Sequence, residues 1–501
     1  MRPTPLTLAA AVTISFMLAA CTSKDQAAAT AAAQADVLMQ QGQYTNALRA
    51  IRQALATRDD VSDYWLTLGR IDLALKNPGG AFDAYRNAIE FDRSNVEALQ
   101  QLTQLGLAVH QPDQVDHFAD QLLSLNPQDL MAIVMKGGAA LQRNDTNKAL
   151  AFAERVFASD PHNVNALILK AQVFASRQDY IGSARLIEES LAASSDQTSR
   201  LEFLRDLYQK SGDIAGYQRA IVKLAQAHAD DRDMQLAFAD LLYQTDHPKD
   251  ALRVLLALMR RRPTDIKLTN LVVELWLDQG KDAVSPSDIL AAESLPLEPR
   301  AAFAQFANMT GRPELAVKAL GNDLADAEPD PANSSAKAAA ALATGLSGQS
   351  REGLAQLHRI LDVDAAQPWA LLARARLRAV TGNTDGALSD ARQVIAGDPQ
   401  NITARLVASD ILLERRENVL SEANLREAIH ARPEAVRPVA RLAELLVQSG
   451  RRGEMESVLR DLARVAPTDL RARRLLAQYH VDPPRTLTTA KGAAGASVRP
   501  D

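Results

Sequence analysis

Between Ser62 and Asn95 the chain reads SDYWLTLGRIDLALKNPGGAFDAYRNAIEFDRSN. Its apolar and small residues fall at helical spacing on both sides of a polar break. Counting Ser62 as place 1, Trp65 stands at place 4, Leu68 at 7, Gly69 at 8, Ala81 at 20, Tyr85 at 24 and Ala88 at 27. The pattern predicts two amphipathic helices joined by a turn near place 15. It returns every 34 residues, in units starting at Ala28, Ser62, Val96, Leu130, Val164, Thr198, Arg232, Ile266, Arg300, Ser334, Pro368, Ile402, Val436 and Leu470. Place 20 is alanine at Ala47, Ala81, Ala149, Ala251 and Ala387. Place 15 is glycine at Gly42, Gly212, Gly280, Gly348, Gly382 and Gly450. Place 32 is proline at Pro127, Pro161, Pro263, Pro399, Pro433 and Pro467. Small residues at places 8, 20 and 27 let helix backbones approach closely, and larger ones at 4, 7 and 24 fill the remaining space. Glycine permits the turn, and proline stops the second helix. A single hairpin cannot bury its own apolar face, so stacked neighbours must do so.

This set of residues resembles the tetratricopeptide repeat, a helix-turn-helix of 34 residues. The resemblance implies an all-α fold: a right-handed superhelical solenoid of about 12–14 such units, as one array or two sub-arrays. The pattern weakens between Asp282 and Ser335, where Pro286, Pro296, Pro299, Pro313, Pro329 and Pro331 crowd together. A joint is expected there, with one first helix shortened. The expected organisation is residues 36–281 as an N-terminal array, 282–335 as degenerate repeats and joint, and 336–481 as a C-terminal array ending in a capping helix. Residues 482–501 lack apolar periodicity and are expected to be disordered.

The N-terminus carries a different signal. Leu6 to Ala20 is an apolar run of signal-peptide length, too short to span a bilayer. It ends in Leu18-Ala19-Ala20-Cys21, and Cys21 is the one cysteine in the chain. A lone cysteine excludes an intramolecular disulfide and any multi-cysteine metal site. The four residues resemble the bacterial lipobox, which implies cleavage of residues 1–20 and lipidation of Cys21. Residues 21–35 would then be the lipidated cysteine and an alanine-rich tether. Thr22 and Ser23 follow the cysteine, and Asp25 lies too far along to match an inner-membrane retention pattern. The expected address is the periplasmic face of an outer membrane.

Charge sharpens the picture. Residues 28–333 carry 30 Lys and Arg against 41 Asp and Glu; residues 334–485 carry 22 against 18, and every one of those cations except Lys337 is arginine. The two ends could therefore meet different partners. In the repeat family the concave groove is lined by the first helix of each unit, at places 2, 5, 9, 12 and 13. Those places hold Leu66, Val134, Ile168, Leu236, Tyr243 and Trp369 among large apolar residues. Polar positions are Arg70, Gln172, Asp206, Asp240, Glu274, Arg376, Asp410 and Glu444. An apolar floor with a line of acids suits an extended or helical peptide bearing apolar anchors and positive charge. The carboxylate clamp known in some such repeats is absent, because Leu66, Gln100, Val134 and Ile168 stand where its basic residue belongs.

Other chemistry is poorly represented. No HExxH, Walker glycine loop, GxSxG or GxGxxG context occurs. His110, Asp113, Asp116 and His117 cluster around Pro112 at a predicted turn, a poor setting for a metal. Arginine groups at Arg374, Arg376 and Arg378 and at Arg471, Arg473 and Arg474 are interleaved with acids and lack aromatic company, which argues against nucleic acid. The expectation is a non-enzymatic, lipid-anchored scaffold for protein or peptide partners in an envelope assembly or export machine. It needs no cofactor, metal or small-molecule substrate. The other reading, a glycan- or peptidoglycan-binding solenoid, would rest on Tyr243 and Trp369, which alone supply aromatic faces at groove places.

Overall fold

Polar side chains at recurrent places start the helices. Asn77, Asn95, Asp129, Asp145, Asn163, Asp213, Asp231, Asp265, Asn383 and Asn401 each accept a hydrogen bond from the backbone N–H three residues on. Each such cap contributes about 1 kcal/mol. The computed structural model describes residues 24–192, 197–321, 324 and 327–484, and among these every element is helical. The expected signal peptide, Cys21 and residues 485–501 lie outside the described residues.

The chain forms two compact units, Met1–Ser195 and Asp196–Asp501. The first holds five hairpins: α1 (Lys24–Gln40) with α2 (Tyr44–Thr57), α3 (Ser62–Ala74) with α4 (Pro78–Phe91), α5 (Val96–Ala108) with α6 (Pro112–Leu125), α7 (Leu130–Gln142) with α8 (Thr146–Phe157), and α9 (Val164–Ser176) with α10 (Tyr180–Ala192). The second continues with α11 (Thr198–Ser211), α12 (Ile214–Ala227), α13 (Arg232–Gln244), α14 (Pro248–Arg261), α15 (Ile266–Gln279), α16 (Pro286–Ala291), α17 (Leu297–Met309) and α18 (Pro313–Leu320). It ends with α19 (Ser334–Leu346), α20 (Ser350–Val363), α21 (Pro368–Val380), α22 (Thr384–Gly397), α23 (Ile402–Glu414), α24 (Asn418–Ala431), α25 (Val436–Gln448), α26 (Arg452–Val465) and α27 (Leu470–Gln478). Within each unit a helix packs on its hairpin partner and then on the next hairpin, the arrangement of an α solenoid. Every predicted unit start coincides with a helix start except the first and the ninth, where the helices begin early, at Lys24 and Leu297.

Place 15 does what the glycines indicate. Gly42, Gly212, Gly280, Gly348, Gly382 and Gly450 have positive φ. The same conformation is held without glycine at Lys76, His110, Asn144, Gln178, Asp246 and Arg416. Backbone bonds hold it there: Asn77 N donates to Asp72 O at 2.8 Å and Lys76 N to Leu73 O at 3.0 Å, the two bonds of a Schellman cap. The next residue then caps the following helix, so one turn closes one helix and opens another. Small places are equally demanding. A Cβ on Gly69 would lie 2.6 Å from the Tyr85 ring, and Ala47, Ala81, Ala149, Ala251 and Ala387 are all fully buried.

Two boundaries are sharpened. The alanine-rich tether, whose composition allows partial helix, is helical from Lys24, with Ala28, Ala31, Ala32 and Ala35 buried. Buried residues of the 282–335 stretch, among them Val284, Ile289, Phe303, Phe306, Ala316 and Leu320, belong to one continuous apolar core running from Ala239 to Leu412. The first helix of that region, α17, is full length; the second helices α16 and α18 are the short ones. Trp276 fills the gap, with ring centroids 4.7 Å from Phe303 and 5.7 Å from Phe306. Gly321, with φ 65°, ends α18.

Candidate functional site

Successive first helices touch one another within each unit, and successive second helices do not to the same extent. The first helices therefore line the inner face, where the predicted groove residues sit.

In the first unit this face is open. Val134 and Ile168 are half-buried, and Gln104 and Gln172 are exposed. Leu73, Leu107 and Leu141 are half-buried beside them. Leu66 turns into the core against Tyr85 and Leu99 and is 8 % exposed. Arg70 is exposed but committed to the next repeat, where its Nε donates to Glu97 Oε1 at 2.6 Å. The Arg70 hydrogen bond holds the Glu97 carboxyl below its ordinary pKa. The acidic segment near His117 is likewise committed: Arg143 Nη2 donates to Asp113 at 2.6 Å and Nη1 to Asp116 at 2.8 Å, and Lys136 Nζ to Asp120 at 2.6 Å. No described group of His, Cys, Asp or Glu could hold a metal ion. What remains on the open face is apolar carbon and amide, with the exposed carboxylates of Asp36 and Asp63 at the end nearest the N-terminus.

The second unit is arranged differently. Asp206 is half-exposed beside Arg205, its partner at 2.7 Å. Asp240 accepts from Gln244 Nε2 at 2.8 Å, Gln279 Nε2 at 2.6 Å and Arg471 Nη2 at 3.1 Å. Burial raises its pKa against the pull of Arg471. Glu274 is bonded to Arg437 Nη2, and Asp278 accepts from Arg437 Nε at 2.5 Å. Burial alone would lower the Arg437 pKa; Glu274 and Asp278 overcome it and hold it above its ordinary value. Tyr243 is buried, and Leu236 packs beside it against the same core. Trp369 Nε1 donates to Asn270 Oδ1 at 2.7 Å, and Arg376 Nη1 to Asn308 O at 3.2 Å. Asp410 accepts from Arg441 Nη2 at 2.6 Å, and Arg441 Nη1 donates to Glu444 at 3.0 Å.

Asp240, Glu274 and Asp410 thus meet arginines supplied by the chain's own C-terminal helices, whereas Asp206, Trp369 and Arg376 pair with Arg205, Asn270 and Asn308. A cavity of about 500 Å³ lies among α18, α19 and α20, and another of about 330 Å³ remains between α13, α15 and the C-terminal helices. Two arginines of the first arginine group are spent internally: Arg374 Nη2 and Arg378 Nη1 flank the buried Asp390 at 2.8 and 2.7 Å. Sequence reasoning named Asp240 and Glu274, and Arg471 only as one of an arginine group; it missed Arg437, Gln244 and Gln279. The signal available was the excess of acid before residue 333 and of arginine after it.

One further group stands out. Glu298, in the first turn of α17, is 5 % exposed, and neither carboxylate oxygen has a hydrogen-bond partner. Burial pushes its carboxyl up to about 7.

A family model for the tetratricopeptide repeat matches residues 32–96 and 134–198, and the chain carries tetratricopeptide repeats there. No curated protein matches the sequence. Solved structures similar to it include PilF of Pseudomonas aeruginosa (15 % identity over 42 % of this chain and 96 % of that one, TM-score 0.33). PilW, a type IV pilus biogenesis factor, is 17 % identical over 42 % of this chain and 97 % of its own, with TM-score 0.36. YrrB, a repeat protein with an unusual peptide-binding site, is 16 % identical over 34 % of this chain and 89 % of its own, with TM-score 0.30.

Proposed function

We propose that this protein is a non-enzymatic scaffold of tetratricopeptide repeats whose first unit receives a segment of a partner protein on its inner face. The observation that carries the reading is the open row of first helices α3, α5, α7 and α9, with Val134, Ile168, Gln104 and Gln172 accessible. Half-buried leucine, valine and isoleucine offer apolar contact, and the glutamines offer donors and acceptors to a peptide backbone. The Arg70–Glu97 pair is neutralised internally and the surface around Val134 and Ile168 is amide-rich, which favours an amphipathic segment with few charges there.

The proposal places the scaffold in a bacterial envelope, anchored through a lipid on Cys21 to the periplasmic side of an outer membrane, in an assembly or export machine. The Leu18-Ala19-Ala20-Cys21 sequence supports this. An acylated N-terminus carrying more than one chain gives stable anchoring, since each buried methylene contributes about 0.8 kcal/mol. No described helix is long and apolar enough to cross a membrane. The glycan reading loses its basis, because Tyr243 and Trp369 are buried.

Two substitutions test the two halves. Val134→Glu with Ile168→Glu should abolish capture of the native partner from envelope membranes while leaving helicity intact; undiminished capture would refute the groove. Cys21→Ala should stop incorporation of labelled palmitate, and continued labelling would refute the anchor.

A further inference from the structure

The inner face of the second unit is already occupied, and its occupant is this chain. α13 and α15 present Asp240, Glu274 and Asp278; α25 and α27 answer with Arg437 and Arg471, across separations of 159 to 231 residues. Further polar bonds run the same way. Leu470 N donates to Gln244 Oε1 at 2.9 Å and Arg474 Nη2 to Gln244 O at 2.6 Å. The apolar cores on the two sides are separate clusters, one ending at Leu412 and the other running from Leu425 to Val481. The named contacts across the face are arginine to carboxylate, arginine to backbone carbonyl and backbone amide to side-chain amide, beside a cavity of about 330 Å³. This differs from the Trp369–Asn270 contact, in which Trp369 belongs to the continuous core.

We infer that α13 and α15 form an arginine-binding surface, that Arg437 and Arg471 occupy it as an internal latch, and that an arginine-bearing peptide segment of another protein takes their place. The inference goes beyond the reading above, because it concerns the second unit and a partner of opposite chemistry. Its physical basis is exchange. One guanidinium replaces another on the same carboxylates with little change in the pairing itself. The outcome is then set by concentration: the tethered arginines act at an effective concentration fixed by the fold, which a free segment must match. Removing the tethered arginines removes that competition.

The test uses the full chain, a fluorescein-labelled nonapeptide of Arg-Ala-Leu repeats and hydrogen exchange. Arg437→Gln with Arg471→Gln should bind the peptide at least about tenfold more tightly than the unsubstituted chain. Exchange should quicken in 266–279 and 436–448 and stay unchanged in 334–363. Adding Asp240→Asn, Glu274→Gln and Asp278→Asn should erase the gain. In the unsubstituted chain, peptide at millimolar concentration should quicken exchange in 436–448 and slow it in 266–279. Four results would overturn the inference: unchanged affinity, a gain that survives neutralisation of the carboxylates, quickened exchange in 334–363 as well, or no transfer of protection in the unsubstituted chain.

Discussion

Glu298 makes the stability of the second unit depend on pH in an unusual direction. Its carboxyl is buried at the start of α17 with neither oxygen partnered, and burial pushes its pKa from 4.5 to about 7. Below about pH 4.5 the group is protonated whether the unit is folded or not, and burial costs nothing electrostatic. Between those values the folded chain holds a proton that the unfolded chain has released, so stability falls as pH rises. Above about pH 7 the group is ionised in both states and the full cost is present. The interval from 4.5 to about 7 corresponds to at most about 3.5 kcal/mol at about 1.4 kcal/mol per pH unit. Trp276 and Trp369 lie in the second unit and Trp65 in the first, so Trp65→Phe leaves fluorescence that reports the second unit alone. Urea midpoints at pH 5 and pH 8 then measure the effect. Glu298→Gln should flatten the difference and raise the midpoint at pH 8. Equal pH dependence with and without Glu298→Gln would refute the reasoning.

Asp390→Asn should destabilise the second unit by about 3 kcal/mol, seen in the same urea titration, because Arg374 and Arg378 would lose the buried counter-charge they share. Gly69→Val should cost about 1–3 kcal/mol in the first unit, read from Trp65 fluorescence, because the added carbon meets the Tyr85 ring. Lys76→Gly should stabilise the first unit by up to about 1 kcal/mol, because Lys76 holds a φ of 59° that glycine adopts freely; a lower melting temperature would contradict that.

The repeat was legible because it is local. Gly69 and Tyr85 belong to one hairpin, and the spacing that brings them together is written within 17 residues. The turns were half legible: glycine announced the left-handed residue in Gly42 or Gly212, but Lys76, His110 and Asn144 hold the same φ without announcing it, since the Schellman bonds secure the turn. The proline-rich stretch misled. Pro286 and Pro313 start the short helices α16 and α18, yet Trp276, Phe303 and Phe306 keep the core continuous through it. The groove places were legible as positions on first helices. Whether each faces solvent was not, because Arg437 reaches Glu274 across 163 residues, and no local pattern records how tightly a solenoid winds.

The account stands most directly on the first unit's inner face being where a partner lies. A photoreactive amino acid placed in turn at Gln104 and Gln172, and at the exposed second-helix positions Arg86 and Asn147, reports which side is covered in intact envelopes. The account predicts one shared cross-linked product from Gln104 and Gln172 and none from Arg86 or Asn147. Equal yields from both sides, or a product from Arg86 and Asn147 alone, would contradict it.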